Sequence, residues 1–74
     1  MGTKNNPAPF DCYENAEPDE PMFILLARDP SAPGTLEHWA HNRVERGKND
    51  PDDPQILEAL ECAENMRTWR RQNR

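Results

Sequence analysis

Two Asp-Pro pairs, Asp29-Pro30 and Asp53-Pro54, set the frame within which this chain can fold. Each places an N-cap residue before a proline at the first helical position, where the missing amide has no intrahelical partner anyway. After the first pair, Ala32, Leu36, Trp39, Ala40 and Val44 recur at three- and four-residue steps. That spacing predicts a helix over residues 30–46 with one apolar stripe, stopped by Gly47. Pro33 is tolerable in its first turn. After the second pair, Ile56, Ala59, Leu60, Ala63, Met66 and Trp69 form the stripe of a helix from Pro54 to about Gln72, flanked by Leu57 and Cys62. Glu58, Glu61 and Glu64 fill its first half and Arg67, Arg70 and Arg71 its last turns, an order that complements the helix dipole. The intervening loop, residues 48–53, is short enough for an antiparallel helical hairpin.

A third apolar group precedes both stripes. Met22 to Ala27, "MFILLA", is far too short to span a membrane and too apolar to leave in water. As a strand it would put Phe23, Leu25 and Ala27 on one face and Met22, Ile24 and Leu26 on the other. Periodicity alone does not separate such a strand from a short buried helix that Asp19 could cap. Asp29 ends the segment in either form, because Pro30 biases it toward extended backbone. A two-helix hairpin leaves one side of its stripes open, and this block is expected to cover that side or to join its equivalent in another chain. No second strand-like run is present, and unpaired buried amides cost about 1–3 kcal/mol each. A homodimer with Phe23, Ile24, Leu25 and Leu26 at its interface is therefore expected.

Leu, Ile, Val and Phe total only ten of 74 residues, so the core is small and only part of the chain is expected to pack. Residues 1–18 hold Pro7, Pro9, Pro18 and most of an acidic cluster, and read as a flexible, disordered acidic arm with Phe10 and Tyr13 as its only anchors. Residues 19–74 read as a single small helical domain. The net charge of −5 argues against direct nucleic-acid binding through phosphate neutralisation. No apolar leader opens the chain, so a cytoplasmic location is expected, with Cys12 and Cys62 as free thiols.

Few residue combinations suggest chemistry. His38 and His41 share one side of a helix, opposite the apolar stripe, and read as solvent-exposed rather than as metal ligands. Cys62 sits among glutamates, which raise a thiol pKa and blunt reactivity. Asp50, Asp52 and Asp53 are interrupted by Pro51 and Pro54 in ways a calcium loop does not allow, and read as turn and capping residues. With no nucleophile and base to pair, neither an enzyme nor a bound cofactor is expected. Two binding readings remain. The arm, through Glu14, Glu17, Asp19 and Glu20, presents an acidic surface that suits a basic groove on a partner protein. Alternatively Arg67, Trp69, Arg70 and Arg71 combine charge with stacking, a mixture that suits nucleotides.

Asp19, Glu20, Pro21, Phe23, Leu25, Ala27, Asp29, Ala32 and Trp39, with Ala63, Met66 and Trp69, follow a loose pattern across residues 19–71. It resembles that of small uncharacterised proteins of phages, prophages and proteobacteria. The resemblance implies no activity. It implies a phage-type accessory role, and it favours an extended segment at residues 22–27, because such relatives often carry polar residues where Ile24 and Leu26 stand here. The chain is therefore expected to be mainly α: an acidic arm, a short extended segment or strand, and a helical hairpin. Its expected role is that of a non-catalytic accessory protein acting by binding, as a counter-defence inhibitor of a host protein. The alternative is an oligomer that binds or sequesters a small ligand such as a nucleotide.

Overall fold

The computed structural model describes residues 1–73. Its elements are a single turn, α1 (Cys12–Asn15), and two longer helices, α2 (Ala32–Glu45) and α3 (Pro54–Asn73), with no strand among the described residues. The last two pack on each other as the expected hairpin.

α3 begins at Pro54 as expected, whereas the start of α2 and the use of the two aspartate side chains differ from the sequence expectation. α2 begins at Ala32, two residues after Pro30. Asp29 does not cap it: one carboxylate oxygen accepts from both the amide (2.9 Å) and the hydroxyl (2.7 Å) of Ser31. Ser31, at the N-cap position, has helical backbone angles (φ −87°, ψ −8°) rather than extended ones and makes no side-chain cap bond. Asp29 is thus a turn residue, and its carbonyl accepts the first helical amide, from Ala32 (3.0 Å). Asp53 does stand at the head of α3, where its carbonyl accepts from the Leu57 amide. Its carboxylate turns backwards, however, to the Asp50 amide and the Asn49 side-chain amide. Both aspartates tie up the turn before the helix, an alternative that short polar side chains commonly offer the backbone.

The far end of α2 matches expectation. Gly47 has φ +72°, the Gly47 amide reaches the Val44 carbonyl and the Lys48 amide reaches the Arg43 carbonyl. This is the Schellman arrangement, which needs a left-handed residue and satisfies two carbonyls at the helix end. Arg43 then braces the turn, donating from Nε to Asn49 Oδ1 at 2.7 Å while its guanidinium lies over the Trp39 ring at 5.5 Å.

The seam between the two helices is made largely of alanine. Ala40, Ile56 and Ala59 form the buried centre, and Ala32 and Ala63 are also fully buried. Small side chains let helix backbones approach closely, so a thin core still closes. Leu36, Trp39, Val44 and Leu60 pack around it half-buried.

The remaining partner of this core is Met1. Its side chain packs on the cluster, and its ammonium bonds Glu58 Oε2 at 2.8 Å and pairs with Asp11. Asp11 also accepts from the amides of Gly2 and Ala8, which folds the first residues into a loop on α3. Phe10 and Tyr13, the anchors expected from composition, are exposed. Of the two roles the Met22–Ala27 block offers, covering its own hairpin or joining a second chain, it does not fill the first and lies largely at the surface. Only Leu25 and Ala27 are half-buried. It is neither strand nor helix, and runs irregularly between turns closed by the Glu20 amide on the Glu17 carbonyl and the Asp29 amide on the Leu26 carbonyl.

Candidate functional site

The most distinctive surface is that irregular segment. Phe23 is 81% exposed, Ile24 56%, Leu26 50% and Met22 45%. Scattered exposed apolar residues are ordinary, but four within five consecutive positions form a patch of the kind that marks interaction sites. Among the described residues, no backbone amide from Met22 to Ala27 donates to a protein acceptor. Toward its C-terminal end exposed and half-buried residues alternate, Ile24 and Leu26 outward and Leu25 and Ala27 inward. The four interface residues expected from sequence therefore divide: Phe23, Ile24 and Leu26 face solvent, and Leu25 turns inward.

The acidic residues flank this segment. Glu14, Glu17, Asp19 and Glu20 are all exposed. Glu20 lends one oxygen to the Glu17 amide at 3.0 Å. A shallow groove of about 280 Å³ separates the end of α1 from the segment, between Cys12, Asn15 and Ala16 on one side and Glu20, Pro21 and Met22 on the other.

The arginines of α3 gather elsewhere. Arg67, Arg70 and Arg71 line an open cleft of about 400 Å³ with Pro30, Pro33 and Gly34 from the start of α2. Trp69 is not among its lining residues and is 46% exposed. Three of the four residues expected to bind a small anion are thus brought together, without the aromatic one. Arg67 is already engaged by Glu37 and Glu64, and Arg71 by Thr68. The hydrogen bonds from Arg67, with the charge of Arg67 and of His41, hold the Glu37 carboxyl below the usual range. Asp29 is likewise lowered, chiefly by the Ser31 hydroxyl and amide and further by the charge of Arg70.

Other expected positions are quickly placed. His38 and His41 are exposed on α2. Cys12 and Cys62 are free thiols, and burial, joined by the nearby acids Asp11, Glu58 and Glu61, pushes the Cys62 thiol up. The carboxylates of Asp50, Asp52 and Asp53 lie within 4.8 Å of one another, and that of Asp53 is occupied by the loop amides described above. Sequence reasoning missed Met1 and Glu37, whose partners Glu58 and Arg67 lie too far along the chain for any periodic pattern to pair them, and Asp11, whose partners Met1, Gly2 and Ala8 lie in a loop with no periodic signal.

Fold and surface together define a small α-helical hairpin protein that carries an unpaired apolar segment on its outside. Among the described residues, no helix is long and apolar enough to cross a membrane. No protein-family model matches the chain, and no curated protein or solved structure is significantly similar to it.

Proposed function

We propose that this chain is a non-catalytic accessory protein that acts by binding another protein, in a phage-type counter-defence role against a host protein in the host cytoplasm. The observation that carries this reading is the pairing of an exposed apolar run, Met22, Phe23, Ile24 and Leu26, with the exposed carboxylates Glu14, Glu17, Asp19 and Glu20 immediately before it. An apolar centre with a charged margin is the anatomy of a protein contact surface. The acidic margin steers it toward a basic partner and disfavours acidic ones. The phage setting rests on the sequence pattern of Asp19 to Asp29 with Trp39, Ala63, Met66 and Trp69.

The test is capture from host-cell extract followed by reciprocal capture with the identified partner as bait. Combined Glu14→Gln, Glu17→Gln, Asp19→Asn and Glu20→Gln should abolish capture while the circular dichroism spectrum stays unchanged. Undiminished capture by that variant would remove the arm from the contact.

A second reading has one observation in its favour. The cleft lined by Arg67, Arg70 and Arg71 suits a small anion such as a nucleotide, since planar guanidinium groups bind phosphate in bidentate fashion. Its signature is a thermal shift with members of a nucleotide panel that is lost on Arg70→Ala. No shift across the panel at millimolar concentration would dismiss it.

A further inference from the structure

The apolar segment carries charges of opposite sign at equal distances from its centre. Glu20 lies four residues before Ile24 and Arg28 four residues after it, and both are exposed. Each sits at a turn that bounds the segment, Glu17–Glu20 on one side and Leu26–Asp29 on the other. A segment arranged in this way is complementary to itself when reversed. We infer that residues 22–26 pair antiparallel with the same residues of a second copy about a twofold axis at Ile24, forming a homodimer through a shared two-stranded ribbon.

The register follows from the residues. Ile24 stands opposite the partner's Ile24, Met22 opposite the partner's Leu26, and Phe23 opposite the partner's Leu25. Pro21 has no amide to donate, so it must occupy a position whose amide points away from the partner. That condition assigns the ladder bonds to Met22, Ile24 and Leu26. The Leu26 carbonyl already accepts the Asp29 amide, and its second lone pair remains for the partner's Met22. Phe23 then falls in a non-bonded pair, where opposed side chains approach most closely, and covers the partner's half-buried Leu25. At each end Glu20 uses its second carboxylate oxygen to meet the partner's Arg28. Asp29, which this register turns toward the partner's Asp19, keeps its charge while it accepts from Ser31, and both aspartates lie in the bounding turns outside the paired residues. A parallel pairing would set Glu20 against Glu20 and Arg28 against Arg28, which opposes that arrangement. The one antiparallel register pairs the Met22, Ile24 and Leu26 amides, covers the exposed Phe23 and Ile24 and matches the two end charges.

This inference rests on the reading of residues 22–26 as a contact surface and names a second copy as what covers it. The dimer then carries two acidic arms on one assembly, leaving Glu14, Glu17 and Asp19 free for a further partner.

The experiment is sedimentation equilibrium of the full chain at tens of micromolar, at low and high salt. The native chain should be a dimer. Glu20→Arg and Arg28→Glu should each raise the dissociation constant by roughly 2- to 30-fold, the range expected of two exposed ion pairs, and the double swap should return it toward the native value. Ile24→Asp should give a monomer with an unchanged circular dichroism spectrum, since Ile24 is exposed in the single chain. A monomeric native chain, a dimer indifferent to Ile24→Asp, or single charge changes that the double swap does not rescue would each overturn the register. If the native chain is monomeric while Ile24→Asp still loses the captured host protein, the dimer fails and the contact-surface reading stands. If neither mass nor capture responds to Ile24→Asp, both fail.

Discussion

Arg67 grips Glu37 with both terminal nitrogens, Nη2 to Oε1 and Nη1 to Oε2, each at 2.7 Å, and so clamps α3 to α2 across 30 residues of sequence. Nη1 also reaches Glu64 at 2.8 Å one turn earlier on its own helix. The paired fork is a geometry that arginine makes and lysine does not. It lies beside the cleft at the open end of the hairpin, away from the Gly47 turn, and it is the only long-range side-chain ion pair between the two helices among the described residues.

This clamp gives the protein an acid-sensitive joint. The Glu37 carboxyl is held below its ordinary value of 4.5 by its bonds to Arg67. Its stabilisation is therefore present above pH 4.5 and is lost as pH falls through the lower folded-state value. Thermal unfolding followed from about pH 6 down to about pH 3 should show a steeper decline for the native chain than for Glu37→Gln. Equal slopes would show that the clamp does not contribute.

The alanine seam should resist enlargement. Ala59 is fully buried between the helices, and Ala59→Leu should destabilise by about 1–3 kcal/mol through overpacking. Ile56→Ala should cost about 2–5 kcal/mol through the cavity it leaves. Leu57→Ala, one position along and half-exposed, should change stability little. Urea titration of the three variants measures the order directly.

Two glycine replacements should act in opposite directions. Gly47 has φ +72°, so Gly47→Ala should destabilise by roughly 1–2 kcal/mol. Gly34 lies inside α2 with open space where a Cβ would stand, so Gly34→Ala should stabilise by about 0.5–1 kcal/mol. The same substitution thereby separates backbone conformation from packing, and melting temperatures of the two variants decide it.

The cysteines should label in sequence. Cys12 is exposed, whereas Cys62 is half-buried with its thiol pushed up by burial. Alkylation near neutral pH, followed by mass spectrometry, should modify Cys12 first and Cys62 several-fold more slowly, the two rates converging in denaturant. Faster modification of Cys62 in the native chain would contradict its placement.

Much of the hairpin is legible in the residues themselves. The stripes of Ala32 to Val44 and Ile56 to Trp69, the stop at Gly47 and the prolines at both helix heads are local signals read within a turn or two of backbone; they place α2 and α3 to within two residues of their ends, although Trp69 is exposed rather than packed. The helix caps are not decided by local sequence alone. Asp29 and Asp53 each had a choice between helix amides and turn amides, and neighbouring Ser31 and Asn49 drew them to the turns. At the site, exposure of the arm carboxylates follows from composition, and the convergence of Arg67, Arg70 and Arg71 follows from helical spacing. That they meet Pro33 and Gly34 required the second helix to be in place.

The sequence by itself determined that two amphipathic helices form and turn back on each other, because helix periodicity and capping act over a few residues. Tertiary structure alone decided what closes the core. Met1, rather than Met22–Ala27, packs on Ala40, Ile56 and Ala59, drawn there by Glu58 and Asp11, and the most apolar run of the chain is left outside. Contacts between residues so distant in sequence depend on how the whole chain fits together, and no local pattern encodes them.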